Sequence, residues 1–480
     1  MRTQGPAAIL LTLFLGLATM GTAQPVADPP ASGPWTLEDC LLYGLSHHPS
    51  IRSAAGAVDG ARANLGTARS NLGTKMTAQG SFSRRRTEYS RALANARVAG
   101  GSDDLVDSTG ESVSVRKVLT DFGKTATRLQ SLNKDLRAAM AERSWVEVQL
   151  GAEIKNAWLR ALQARAQLDV QRENLERFQV HLGKVKSFVE VGAKPPYDIT
   201  KAEVDVANAR VSLIGAESNF RNACSALRKT VGAPRDVEVG PADVGSRPAA
   251  VDLQVDRLMQ EALSRPDLLS TRLAIESARL REKEARLGLR PSLSGSADYS
   301  WSGSVTPLDR GYTLGLSLSA PFLDGRQTEF SVKAAKSSVN VAESRLEQAL
   351  LSLRNEVEQA VTGVIDAGQR FEAAEILVRQ ASETLLLAEG RYDAGVGSPI
   401  ELTDARTGYT SARGSFVTAA FDERIAHATL DRVVGRFPPE MTGWGSDGGL
   451  PAGQDLPAPP VPASSAAVVE IAPASGTAEP

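Results

Sequence analysis

Val191-Gly192-Ala193-Lys194-Pro195-Pro196-Tyr197-Asp198-Ile199-Thr200-Lys201-Ala202 reads as a helix stop, a turn and a helix start, and it returns as Ala394-Gly395-Val396-Gly397-Ser398-Pro399-Ile400-Glu401-Leu402-Thr403-Asp404-Ala405. The first glycines of the two stretches stand 203 residues apart (395 − 192). The same offset joins Asp121 to Asp324, Arg210 to Arg413 and Gly232 to Gly435. Upstream the offset is 217, linking Pro49 to Pro266, Arg62 to Arg279, Arg69 to Arg286, Leu72 to Leu289 and Ser83 to Ser300. The step of 14 (217 − 203) puts surplus residues into the first copy, between Ser83 and Asp121. A unit of about 200 residues far exceeds the 20–50 of solenoid repeats, so the chain duplicates a domain-sized element. The copies span residues 35–240 and 241–436.

Working outward from each tip, the sequence is helical. No proline occurs from about Lys124 to Glu190, and Leu175, Phe178, Leu182, Val185 and Val189 step by three and four, a heptad seam. Val378, Ala381, Leu385, Ala388 and Tyr392 keep those steps in the second copy, and Leu129, Leu132, Leu136 and Met140 extend the first stripe upstream. A helix of about 65 residues reaches on the order of 100 Å and needs lateral partners along its whole course. Gly192 ends the first long helix, and Pro195-Pro196 prevents its continuation. Asp198 or Thr200 is placed to cap a second helix from about Lys201 to Val231. Gly395, Gly397, Pro399 and Thr403 repeat the arrangement. Each copy thus predicts an antiparallel helical hairpin, over about 124–232 and about 326–435.

Between the helices the period changes to two, at about 74–120 and about 291–323. Leu293, Gly295, Ala297, Tyr299 and Trp301 alternate with serines and Asp298; Tyr312, Leu314, Leu316, Leu318 and Ala320 alternate with Thr313, Gly315, Ser317 and Ser319. Strands of about ten residues with aromatics near their ends match outer-membrane strands, although a surface hairpin shows the same alternation. In the first copy Met76, Ala78, Gly80 and Phe82 oppose Thr77, Gln79, Ser81 and Ser83, while Lys117 interrupts the return face of Val113, Val115 and Leu119. A lipid-facing lysine costs about 2–4 kcal/mol at the bilayer midplane, so Lys117 is expected near an interface. The 14 surplus residues fall in a loop from about Arg84 to Gly110, which places Arg84, Arg85 and Arg86 at the outer rim.

Composition agrees with long helices rather than a thick core. Aromatics are 5% of the 480 residues, and a net charge of −2 gives no reason to invoke nucleic acid. Residues 1–23 read as a signal peptide: Arg2, an apolar run from Ala7 to Leu17, and the small-residue site Gly21-Thr22-Ala23 before Gln24. That run is shorter than the roughly 20 residues a spanning helix needs. Residues 24–34 read as a linker, and 437–480 as a disordered tail rich in proline, alanine and glycine. An oxidising compartment permits a Cys40–Cys224 disulfide, but one pair is no framework for a chain this long, and buried free thiols are the favoured reading over it.

Four strands cannot close a barrel, whose practical minimum is about eight. An open sheet edge has no partners in lipid, so several chains must share one barrel, and three copies supply twelve strands. Chemistry finds little purchase. Asp121-Phe122-Gly123 lacks the other kinase motifs, and Gly123-Lys124-Thr125 lacks the earlier glycine of a phosphate loop. His47, His48, His181 and His427 lack metal-ligand spacing. No enzyme, cofactor or metal site is expected.

From about Trp35 to Gly435, in both copies, the chain resembles the TolC family of trimeric outer-membrane efflux ducts. The carriers are the repeated tips, the junctions Leu119-Thr120-Asp121-Phe122-Gly123 and Phe322-Leu323-Asp324-Gly325-Arg326, and the segments Leu227–Gly232 and Leu430–Gly435. The resemblance implies a mainly α fold with a membrane β-barrel portion. Long coiled-coil hairpins and β-hairpins, present twice, would trimerise into a twelve-stranded barrel and a twelve-helix periplasmic tunnel. It implies a passive exit duct for multidrug efflux or type I secretion, in the outer membrane of a Gram-negative bacterium. The implied partners are two further copies, a periplasmic membrane-fusion adaptor, an inner-membrane pump of RND or ABC type, and outer-membrane lipid. The family's periplasmic gate maps to Asp198, Tyr392, Glu401 and Asp404, and its adaptor-docking tips to Val191, Gly192, Ala193, Ala394, Gly395 and Val396. Some members carry an arginine where this chain has Gly397, which leaves Lys194 or Arg391 as substitutes. On the residues alone, Glu401 and Asp404 also read as solvated first-turn acids favoured by the helix dipole. The competing function is an exported coiled-coil spacer or adaptor with no channel.

Overall fold

The structure, a computed structural model, describes residues 34–86, 105–234, 251–303 and 308–437, with 237, 239–241, 243 and 247–249 of the connecting segment. The signal peptide, most of the linker, the bulk of the surplus loop and the tail from 438 onward lie outside the described residues. Two helices, α1 (Leu37–His47) and α2 (Pro49–Ser70), lead into strands β1 (Lys75–Arg86) and β2 (Leu105–Thr120). The long α3 (Lys124–Glu190) and α4 (Tyr197–Val231) follow. The sequence of elements then repeats as α5 (Val255–Ala262), α6 (Pro266–Arg286), β3 (Ser292–Gly303), β4 (Asp309–Ser319), α7 (Gln327–Asp393) and α8 (Pro399–Val434). No described helix is long and apolar enough to cross a membrane.

The four strands form one antiparallel sheet in the order β1-β2-β3-β4. Met76 stands opposite Val115, Val115 opposite Ala297, and Ala297 opposite Leu314, so the apolar sets of all four strands share one face. Serines, threonines and Asp298 take the other face, because successive side chains of a strand alternate. Lys117 lies on the apolar face, exposed, three residues before the end of β2. β1 and β4 are edges with one unpaired side each.

Each return strand enters its long helix through two successive left-handed residues, Phe122 (φ 51) and Gly123 (φ 94), then Gly325 (φ 61) and Arg326 (φ 71). An aspartate ahead of each pair takes the helix's first amides. Thr125 N–H donates to Asp121 Oδ2 at 2.6 Å, and Thr328 N–H to Asp324 Oδ2 at 2.8 Å. Hydrogen bonds from the Thr328 side chain and amide, and then from Arg326 N–H, hold the Asp324 carboxyl below its ordinary value. α3 and α7 then run for 67 residues each, about 100 Å.

The expected caps of α4 need correction. It begins at Tyr197, with Pro196 preceding it and neither Asp198 nor Thr200 capping. The carbonyls of Pro195 and Pro196 accept from the amides of Asp198 and Ile199, both at 3.1 Å, and Pro196 already holds a helical φ of −58°. In the second copy Ser398 caps α8, its Oγ accepting from Ile400 N–H at 3.1 Å, and Thr403 lies inside the helix.

Two apolar cores obey the offsets of the sequence. Leu41, Leu45 and Ile51 correspond at 217 to Leu258, Ala262 and Leu268; Leu150, Ile154, Ala161, Leu227 and Val231 correspond at 203 to Leu353, Val357, Val364, Leu430 and Val434. Cys40 is buried in the first core and Cys224 packs against it, and no disulfide joins them. Burial pushes the Cys40 thiol up to about 12, with Asp39 adding to the effect.

Candidate functional site

At the far end of the long helices, both tips turn on a left-handed glycine. Gly192 (φ 75) lets Ala193 N–H reach Phe188 O at 2.8 Å, which satisfies the last carbonyls of α3. Gly395 (φ 76) does the same for α7, and there Arg391 O accepts from Val396 N–H at 3.0 Å and from Gly397 N–H at 2.9 Å. A Cβ on Gly397 would lie 2.9 Å from Tyr392 N and 3.0 Å from Arg391 C. No side chain fits there without opening the turn, so an arginine is sterically excluded from this tip.

The two tips meet at Tyr392. Its ring, 3% exposed, packs with Leu385, Ala388 and Leu402 where α7 and α8 face each other. From the first tip Lys194 Nζ sits 3.1 Å from the ring centroid, and the His181 ring of α3 lies 5.3 Å away. Beside them Arg406 of α8 is buried, its Nη2 donating to Glu389 Oε1 at 3.1 Å. Tyr392 Oη and Arg406 Nε and Nη1 are buried with no partner. Burial, then the cations Arg406, Lys194 and Lys184, lower the His181 imidazole to about 4. His181, Lys184, Glu389, Tyr392 and Arg406 border a cavity of about 370 Å³ between the hairpins. Around it the hairpins are tied by Lys184 to Asp393 at 3.7 Å, Thr403 Oγ1 to Asp205 Oδ2 at 3.1 Å and Thr410 Oγ1 to Asn174 Oδ1 at 2.8 Å.

Glu401 and Asp404 lie elsewhere, in a groove of about 1040 Å³ between α7 and α8. Both are exposed, and Arg391 Nε stands 3.2 Å from Glu401 Oε1. Asp198 sits half-buried in the first turn of α4 and lines neither space. The four gate residues read from the resemblance therefore fall in three places: a contact between hairpins, a groove and a helix start. Val191, Gly192, Ala193, Ala394, Gly395 and Val396 are all exposed, with Val191 at 77% and Val396 at 73%.

His181 and Arg406 escaped the sequence reading as members of this cluster. His181 lacks metal-ligand spacing. Its position three residues after Phe178 and four before Val185, on the buried stripe, was the available signal. Arg406 sits four residues after buried Leu402, again on the inward face.

The profile of the outer membrane efflux protein family matches residues 44–233 and 258–436. Nodulation protein T of Rhizobium leguminosarum bv. trifolii is 25% identical over 433 residues, 88% of this chain and 90% of its own length. Outer membrane protein TolC of Escherichia coli (strain K12) is 26% identical over 197 residues, 38% of this chain and 40% of TolC. The Campylobacter jejuni CmeC outer membrane channel superposes with a TM-score of 0.70 at 16% identity, covering 83% of this chain and 85% of CmeC. At that identity the superposition speaks for the fold alone.

Proposed function

The chain belongs to the outer membrane efflux protein family and is an export duct of the Gram-negative outer membrane, and from that premise we propose how the duct is assembled and closed. Three copies each contribute β1–β4 to one twelve-stranded barrel, and their long helices form a twelve-helix tunnel through the periplasm. The observation that carries this is the open sheet. Tyr312, Leu314, Leu316 and Leu318 on β4 are 79%, 76%, 76% and 66% exposed on one face, while β1 and β4 are unpaired edges. An apolar face suits lipid, but a bare edge there costs several kcal/mol per unsatisfied group, so β4 of one copy pairs with β1 of the next. The opposite face of serines, threonines and Asp298 then lines a water-filled lumen.

At the periplasmic end, the exposed turns at Val191–Ala193 and Ala394–Val396 meet a membrane-fusion adaptor, which joins the duct to an inner-membrane pump of RND or ABC type. Asp198, Tyr392, Glu401 and Asp404 belong to the gate. Lys194 over Tyr392 holds the first tip against the second, where Gly397 leaves no room for an arginine. Transport is passive: the pump supplies the energy and the duct supplies the path, for drugs or for secreted protein.

The assembly is tested by extracting the protein from membranes. A trimer that needs detergent and falls to monomers on heating is expected. A monodisperse monomer released by osmotic shock and stable in plain buffer would overturn the duct in favour of an exported coiled-coil spacer.

A further inference from the structure

We propose that Arg391 sets the ion selectivity of the periplasmic mouth by cancelling half of its acidic charge. The inference rests on the reading of Glu401 and Asp404 as residues facing the ion path. Among the described residues lining their groove, only Arg391, Glu401 and Asp404 carry charge. One cation against two anions leaves −1 in the groove of each copy, hence −3 over three grooves, and −6 without Arg391.

The position of Arg391 is built into the tip. Its carbonyl accepts both turn amides, from Val396 and Gly397, which fixes the last turn of α7 against the start of α8. Gly397 makes that approach possible, because a Cβ there would come within 3.1 Å of Arg391 Cβ. The guanidinium then reaches across to Glu401, Nε to Oε1 at 3.2 Å. Their side chains are 58% and 44% exposed, so the pair is worth little as a brace and either partner can be lost without unfolding the tip. Its effect on permeating ions does not depend on that strength. A guanidinium stays charged at every working pH, and a narrow, low-dielectric mouth focuses the field of whatever net charge its rim carries. The cation that steric exclusion bars from position 397 is thus present six residues earlier, where it faces the acids instead of the opposite tip.

Planar-bilayer reversal potentials of the intact trimer across a KCl gradient test this, with trimer migration as the folding control. Arg391→Gln should raise the K⁺ to Cl⁻ permeability ratio by at least about threefold, as a more negative rim enriches cations and excludes anions. Asp404→Asn should lower the ratio, and Arg391→Gln combined with Glu401→Gln should return it to the wild-type value. In an Arg391→Cys channel, a cationic thiosulfonate added during recording should reverse the increase, and wild type should not respond. If Asp404→Asn lowers the ratio while Arg391→Gln and the cysteine channel leave it unchanged, the role of Arg391 is wrong and the pore-lining reading survives. If neither Asp404→Asn nor Arg391→Gln moves it, the mouth is not built from these residues and both fail.

Discussion

At the scale of single residues, the contact between the tips is held by groups kept from water. His181 lies beneath Tyr392 at 6% exposure, surrounded by Arg406, Lys194 and Lys184, with Asp393 the acid that opposes them. Its imidazole is lowered from 6.5 to about 4, which means the folded tip prefers the neutral ring. Above 6.5 both folded and unfolded rings are neutral, and the group contributes no pH dependence. From 6.5 down to about 4 the unfolded chain binds a proton that the folded tip refuses, so stability falls as pH falls through that window. The loss is on the order of 3 kcal/mol. Thermal midpoints of the helical signal should therefore decline between those pH values in the wild type and decline less in His181→Gln. Parallel curves would remove His181 as the source. Tyr392 Oη and two nitrogens of Arg406 are also buried without partners, a burden of about 1–3 kcal/mol each that disappears when the tip opens to water.

At the scale of elements, each repeat solves the same joint with different residues. The strand-to-helix junctions both need two left-handed residues in a row, and glycine takes the second place in Phe122-Gly123 but the first in Gly325-Arg326. Each junction thus holds one side chain in a conformation costing roughly 1–2 kcal/mol, offset by the aspartate that caps the helix behind it. The tips differ more. The first presents Lys194 and the second a glycine turn with Tyr392 behind it, so the hairpins are complementary rather than interchangeable. With Lys194 half-buried, the cation–π contact contributes on the order of 1 kcal/mol. Lys194→Ala should accordingly raise the resting conductance of the channel and admit large antibiotics that wild-type cells exclude, while Lys194→Arg should remain closed. Equal conductance in the alanine variant and wild type would show that another contact keeps the tips together.

At the scale of the whole molecule, the two largest apolar clusters among the described residues stand at matching positions near the base of the two hairpins. Leu150 and Leu353, 203 residues apart, are 3% and 2% exposed and belong to different clusters. Truncating either to alanine should cost about 2–5 kcal/mol. Because the clusters share no member, the double substitution should cost the sum to within about 0.5 kcal/mol. A larger coupling, measured by thermal unfolding of the helical signal, would mean that the repeats act as a single core.

Residue order alone carried the repeat, the long helices and the alternating strands. Those features depend on spacing: the seam Leu175, Phe178, Leu182, Val185 and Val189 has no exposed member, and Met76, Val115, Ala297 and Leu314 share a face because strand side chains alternate. α4 starts at Tyr197, four residues before the expected Lys201, because two proline carbonyls take the place of a polar cap. The site needed the packed chain. Whether Lys194 or Arg391 stands in for an arginine at 397 depends on which hairpin faces lie together: Lys194 rests on Tyr392, 198 residues further on, while Arg391 turns to Glu401 within its own hairpin. Arg406 and His181 became neighbours of one cavity in the same way. Local periodicity acts over a turn or two of backbone, whereas burial, pairing and proton affinity at this contact come from helices brought side by side across some 200 residues of chain.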